Sequence, residues 1–256
     1  MHAPEPVRRL YAPFVALPME TLTKAWWREA CAGQPRQRSV AEMVEHHRRY
    51  GTGGNCFDLA YWLLLQAREA GFAARAVGHD FESWEAHAAV ILTDHHGHEY
   101  LADPGDKWLQ PLLISPEAPA FDPGYQAGFL PAAAVAVERE GTHLTIRYRR
   151  PNGKESRQVY DLSPVSDETF LRACHHSAGL LRRPIVEALL PHPETGQIAH
   201  WDYDRGRSAW FTDQGLLVEE DAGSTEGWVA RIAARTGIAQ EIIRTALAVY
   251  SSLEPR

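Results

Sequence analysis

The stretch Tyr50-Gly-Thr-Gly-Gly-Asn-Cys56-Phe-Asp-Leu-Ala-Tyr-Trp-Leu-Leu-Leu65 decides how the rest of the chain is read. Three glycines, an Asn and a Cys lead into a run with large apolar residues on every side: Phe57, Leu59, Tyr61, Trp62 and Leu63 to Leu65. A helix that is apolar all round is a central one, so the pattern predicts a buried helix over 56–70, closed by Gly71. Cys56 falls in its first turn, where free backbone N–H groups and the helix dipole favour negative charge. That placement turns a thiol into a usable thiolate. A thiolate used as a nucleophile needs a base, and a group to orient that base, from elsewhere in the chain.

Upstream, Ser39 and Glu42 form a capping-box pattern at the start of a helix running to Arg49 and ending at Gly51. Residues 19–32 read as another helix, with Leu22, Trp26 and Ala30 at helical spacing. The apolar patch from Tyr11 to Leu17 is interrupted by Pro13 and ended by Pro18, which does not suit a signal peptide.

Downstream, Ala73 to Val77 reads as a short strand and 78–85 as a polar, aromatic loop. His87 to Asp94 and Glu99 to Asp103 then alternate as a β-hairpin, with its turn at His95-His96-Gly97. A turn centred near His95 and His96 makes His87 and Asp103 direct cross-strand neighbours on one face, with Cβ atoms about 4.5–5.5 Å apart. A carboxylate beside an imidazole fixes its tautomer and stabilises the imidazolium, and an imidazole in reach of a thiol takes its proton. Cys56, His87 and Asp103 thus read as nucleophile, general base and orienter. Singly, each has a plainer reading, as a structural Cys, a core His, and an Asp ending a strand before Pro104.

The proline-rich segment 104–131 reads as an ordered loop anchored by Leu109, Leu112, Leu113, Ile114 and Phe121. Strands follow at 135–139, 144–149 and 156–162, and Leu144, Ile146 and Tyr148 alternate with Thr145, Arg147 and Arg149, so one face is wet. A helix at 166–176, short strands in 197–220 around Arg205-Gly206-Arg207 and Gln214-Gly215, and helices at 225–236 and 238–252 complete the reading.

A chain of 256 residues hides roughly 70–75% of its unfolded surface and needs no disulfide to do so. The length suits one large domain, or two to three lobes sharing a core. A net charge of −7 argues against nucleic acid or an anionic membrane as the main partner. Three cysteines, Cys31, Cys56 and Cys174, lack both disulfide pairing and metal spacing, which fits a reducing compartment and a cytoplasmic protein. No run of eighteen apolar residues is present.

Other features favour plainer readings. Cys31 and Cys174 read as small apolar fillers. Among 13 histidines, His46/His47, His95/His96 with His98, and His175/His176 invite a metal reading, but adjacent histidines on one element point apart and no zinc set follows from the spacing. Arg182-Arg183 and Arg205/Arg207 suit coenzyme phosphates, although a solvated face is the better reading. Phe81 and Trp84 suit either an acceptor pocket or core packing.

The residues then resemble a family. Gly53-Gly54-Asn55-Cys56-Phe57-Asp58, Ala86-His87, Tyr100-Leu101-Ala102-Asp103 and Val159-Tyr-Asp-Leu-Ser-Pro-Val-Ser-Asp-Glu-Thr-Phe170 are similar to the arylamine N-acetyltransferases, over about Ser39 to the C-terminus. The resemblance implies an α+β fold with a cysteine-proteinase-like core. A helical N-terminal lobe carrying the Cys (1–80), an antiparallel β-barrel lobe carrying His and Asp (81–165) and an α/β lid (166–256) are expected. It implies a Cys56-His87-Asp103 triad, acetyl-CoA as co-substrate with no permanently bound cofactor, and ping-pong transfer to a small-molecule amine. The sequence has Thr52, Asp58 and Ala60 where that family keeps Arg, Glu and Asn. It has Pro104-Gly105-Asp106-Lys107-Trp108 in place of the glycine-rich segment that helps seat the coenzyme. Similarity also extends to transglutaminase-like cysteine enzymes, which share the triad and its order and act without CoA, as hydrolases or amide-forming enzymes. The C-terminal third favours the acetyltransferase side.

Overall fold

The computed structural model describes residues 3–253. Four helices lead the chain: α1 (Glu5–Ala16), α2 (Leu22–Ala30), α3 (Val40–Tyr50) and α4 (Cys56–Glu69), with a two-residue strand, β1 (Met19–Glu20), between the first two. An eight-stranded antiparallel sheet follows, from β2 (Ala73–His79), β3 (His87–Thr93), β4 (Glu99–Ala102), β5 (Leu112–Leu113), β6 (Gln126–Leu130), β7 (Ala133–Glu140), β8 (His143–Arg149) and β9 (Glu155–Asp161). Its order is β5-β4-β3-β2-β9-β8-β7-β6. The Leu109 N–H, on the segment entering β5, donates to the Phe129 carbonyl of β6, so the two edges meet and the sheet curls into a nearly closed barrel. After α5 (Asp167–Gly179), a second sheet orders β1 beside β10 (Ile185–Pro191), β11 (Ile198–Asp204), β12 (Arg207–Thr212) and β13 (Gly215–Val218). Helices α6 (Thr225–Thr236) and α7 (Gln240–Leu253) complete the described chain. This is the expected α+β layout of helices, barrel and lid.

The local signals act as their chemistry requires. Asn55 caps α4, its side chain accepting from the Asp58 N–H while Asp58 returns the bond to the Asn55 N–H. Ser39 and Glu42 form the matching box on α3. Along α4, Leu59, Leu63 and Leu64 are buried, each stabilising the fold by about 2 kcal/mol. One core joins α1, α4, the barrel interior and α5. A second packs Leu22 and Ala25 of α2 against Val186, Trp201, Tyr203 and Trp210 of the second sheet and against α6 and α7.

Two expectations are corrected, for 19–32 and for 104–131, and one unread element, α1, is added. Residues 19–32 are not one helix: Met19 and Glu20 pair with Glu187 and Val186, and the buried Glu20 carboxylate accepts the Thr23 N–H to start α2 at Leu22. The patch at 11–17 is part of α1 despite Pro13, because Val7, Leu10, Tyr11 and Phe14 bury one stripe while Pro13 faces solvent. That burial offsets the roughly 3 kcal/mol a helix-interior proline costs. The 104–131 segment is not loop throughout, since β5 and β6 are formed within it.

Candidate active site

Cys56 begins α4, immediately after the Asn55 cap, and is half-buried. His87 opens β3 and Asp103 follows the last residue of β4. The β3–β4 register pairs Thr93 with Glu99 and Val90 with Ala102, so opposed residues sum to 192 and not 190. The turn is centred on His96, because the Asp94 carboxylate accepts the N–H groups of both His96 and His98 and the Asp94 N–H closes on the His98 carbonyl. His87 and Asp103 are therefore diagonal neighbours, not direct ones. A slip of two residues preserves the face, since side chains alternate with period two, and the two still meet: His87 Nε2 lies 2.7 Å from Asp103 Oδ2.

Cys56 adjoins the same imidazole: the hydrogen side of Gly105 faces both the Cys56 Cβ and His87 Cε1. With Nε2 taken by Asp103, Nδ1 is the ring nitrogen left for the thiol. Burial alone pulls His87 down, but the Asp103 charge, the bond to Asp103 and the adjoining Cys56 carry it well above the ordinary imidazole range. Burial works to raise the Asp103 carboxyl, yet His87, Tyr160 and the Asp106 N–H together hold it low. Tyr160 donates its phenol to Oδ2 at 2.6 Å and the Asp106 N–H donates to Oδ1 at 2.9 Å. The carboxylate is completely buried and bonded on both oxygens.

The segment after Asp103 is the part that sequence reading missed. Gly105 presses directly on both partners: a Cβ there would stand 2.5 Å from the Cys56 Cβ and 3.1 Å from His87 Cε1. Lys107 is buried and donates to the carbonyls of Val15 and Leu17, at the end of α1. Tyr11 of α1 donates to the Trp108 carbonyl. Asp106 accepts from Tyr148 and Trp108, and burial with the nearby Asp103 charge raises its carboxyl.

The glycine turn before Cys56 has its own support. Thr52 stands where the resembled family has an arginine, and a guanidinium arrives from elsewhere: Arg38, buried, donates to the Gly53 carbonyl at 2.8 Å and lies 3.3 Å from Asp58 Oδ2. Gln37 donates to Asp58 Oδ1. Nothing in the spacing of residues 37, 38 and 58 marks this cluster.

Two cavities flank these residues. One of ≈ 210 Å³ includes Cys56 in its lining, with Phe81, Trp84, Lys24, Arg182 and Arg183. A second of ≈ 330 Å³ lies between barrel and lid sheet, lined by Asp106, Tyr148, Glu187, His200 and Asp202 among others. Glu187 and Asp202 come from the lid face opposite the one that packs on the helices, and Asp106 from the segment after Asp103. Glu187 is 3.1 Å from His200, and burial raises Asp202 to about 6.

The remaining candidates lie elsewhere. Cys174 is buried in the first core, where desolvation pushes its thiol up. Cys31 caps α2, His95 and His96 lie against each other with tilted rings at the hairpin tip, and Arg205 pairs with Asp204 on the surface. His47 bonds the Thr52 carbonyl, His46 packs on Trp26 and Trp27, and His175 accepts the Gln37 N–H.

No family model and no curated protein matches the sequence. Solved structures do match. The Mycobacterium marinum arylamine N-acetyltransferase is 14% identical, covers 98% of this chain and 95% of its own, and superposes with a TM-score of 0.73. The Nocardia farcinica arylamine N-acetyltransferase is 16% identical over 96% of this chain and 88% of its own, also at 0.73. The fold is that of the arylamine N-acetyltransferases. The M. marinum protein in complex with CoA matches as well, at 14% identity, a TM-score of 0.71, and coverage of 96% of this chain and 92% of its own. The arylamine N-acetyltransferase fold here extends over nearly the whole chain, including α1 and the lid sheet. Among the described residues no helix is long and apolar enough to cross a membrane.

Proposed function

We propose that this chain is a cysteine acyltransferase that takes an acyl group from a CoA thioester onto Cys56 and passes it to an amine acceptor in ping-pong order. The observation that carries the reading is one imidazole held by Asp103 at 2.7 Å and adjoining a cysteine at a helix start. Its occurrence in a chain with the arylamine N-acetyltransferase fold supports acyl transfer over the other chemistry such a relay permits, and the CoA complex of the M. marinum protein supports a CoA thioester as donor.

Cys56 Sγ, deprotonated toward His87, attacks the thioester carbonyl. A bond from that carbon to Sγ forms, the bond to the CoA sulfur breaks, and CoA leaves with the proton from the imidazolium. An amine then attacks the Cys56 thioester and forms an amide, His87 takes the amine proton, and Cys56 departs as thiolate. The α4 N-terminus favours negative charge throughout. Asp103 stabilises the imidazolium and, bonded to Tyr160 and the Asp106 N–H, keeps its own orientation.

The half-reaction gives the test. With no amine present, the protein should exchange isotopically labelled CoA into acetyl-CoA or another acyl-CoA, and Cys56→Ser should abolish that exchange. Exchange that requires an amine, or that survives Cys56→Ser, would rule out the ping-pong reading.

A further inference from the structure

The chain carries a net charge of −7, yet the cavity that opens on Cys56 is lined by no carboxylate. Its cationic side chains are Lys24, Arg182 and Arg183, with His176 also in the lining, and its walls are more apolar than polar, with Phe81 packed on Phe57 and Trp84 standing exposed at the rim. The three cations are not equivalent. Arg183 is paired with Asp204, and Arg182 is exposed. Lys24 is half-buried on α2 and donates to the Ser177 carbonyl at 3.3 Å. An ammonium has three donors, so two remain for the cavity. The charges near enough to be felt by Lys24 are those of a Cys56 thiolate, Asp58 and Glu20; the two carboxylates are engaged by Gln37 and Asn55 and by Thr23, and no ion pair joins any of the three to Lys24 among the described residues. The acids of the site are gathered in the other cavity, where Asp106, Glu187 and Asp202 stand.

We infer that the cavity over Cys56 is a carboxylate subsite with Lys24 as its anchor, and that it receives an acyl group ending in a carboxylate. Acylation of Cys56 removes the thiolate charge that Lys24 feels, which leaves a half-buried ammonium uncompensated, and a carboxylate at the end of the acyl group replaces that charge. Once Cys56 has taken the acyl group and CoA has left, the acyl chain is the part of the donor still tethered at the cavity floor. A neutral acetyl group makes no use of Lys24, whereas a dicarboxylic half-thioester places its free carboxylate against it. The inference rests on the acyl-transfer reading for the identity of the anion, but not for the existence of the subsite.

Alkylation tests the subsite without any thioester. Iodoacetate and iodoacetamide react identically with a thiolate, the new C–S bond forming as iodide leaves, and differ only in charge. The rate ratio of iodoacetate to iodoacetamide at Cys56 should exceed that of N-acetylcysteamine by about tenfold at low salt, the effect of one partly screened charge at close range. Lys24→Met should lower the ratio several-fold, to the level that His87 and the α4 N-terminus alone maintain, and Lys24→Arg should restore it. The ratio cancels any general change in Cys56 reactivity. The donor arm compares glutaryl-CoA with pentanoyl-CoA, which have the same chain length, by the rate of adduct formation on Cys56. Faster glutaryl transfer that depends on Lys24 supports the proposal. A Cys56 ratio equal to that of the free thiol, or one that Lys24→Met leaves unchanged, overturns it. Preference for iodoacetate without preference for glutaryl overturns the acyl assignment and moves the carboxylate to the acceptor. If no thioester labels Cys56 while the iodoacetate preference holds, acyl transfer fails and the carboxylate subsite stands.

Discussion

Gly105 fits between Cys56 and His87 only because it has no side chain. A Cβ there would lie 2.5 Å from the Cys56 Cβ and 3.0 Å from its Cα, and both are atoms of a buried helix start that cannot swing aside. Gly105→Ala should slow iodoacetamide labelling of Cys56 by about tenfold or more and lower stability to urea by about 1–3 kcal/mol. Unchanged labelling with unchanged stability would mean that this packing is wrong. The three residues brought together here were legible in the sequence because each has a positional signal: Cys56 follows a glycine turn, and His87 and Asp103 share a hairpin face. Tyr160, Gln37, Arg38 and Lys24 were not legible, since each reaches the site from a distant element and its type alone names no partner. Tyr160 is 57 residues from the carboxylate it bonds.

At the scale of elements, the helix start at Cys56 and the capping box of α3 followed from local chemistry, while the Asn55–Asp58 box of α4 was seen only in the structure. The parity of the β3–β4 hairpin followed too, while its register did not, because the Asp94 side chain recentres the turn. Helix α1 was hidden by Pro13, and its packing depends on the loop after Asp103. Lys107 reaches from that loop to the last carbonyls of α1, and burial draws its ammonium down to about 8. A lysine whose folded value is depressed binds fewer protons in the folded chain than in the unfolded one between about pH 8 and 10.4. Stability should therefore be penalised below about pH 8 and recover as pH rises through that window, all other groups being equal. Comparing urea midpoints of the wild type and Lys107→Met from pH 7 to 10 isolates this contribution. The difference curve should rise with pH, and a flat one would show that Lys107 is not buried as a cation.

At the scale of the whole molecule, the two cores are joined at places far apart in sequence. β1 pairs with β10 and also bridges to Gly54 of the glycine turn, so the lid sheet is tied to the segment that presents Cys56. The end of α3 makes a second tie: the Ala239 N–H donates to the Tyr50 carbonyl, and Gly51, with φ +70°, packs so closely on Gly237 that a Cβ would meet its carbonyl oxygen at 2.3 Å. Gly51→Ala meets both a left-handed backbone and a backbone clash. It should cost about 2–4 kcal/mol in urea unfolding, by strain together with overpacking, and should also slow Cys56 labelling. A loss of stability with labelling unchanged would show that the lid contact does not reach the glycine turn.

These ties bear on one chemical outcome, the capture of an acyl group by Cys56. Peptide-mapped mass spectrometry after brief exposure to acetyl-CoA and glutaryl-CoA, with no acceptor present, reads that outcome directly. Expected is an acyl thioester on the peptide that carries Cys56, absent in Cys56→Ser and formed about 10²–10⁴-fold more slowly in His87→Gln. An unacylated Cys56 that iodoacetamide still labels, or acylation confined to lysines, would contradict the Cys56-His87-Asp103 relay as the means of acyl transfer.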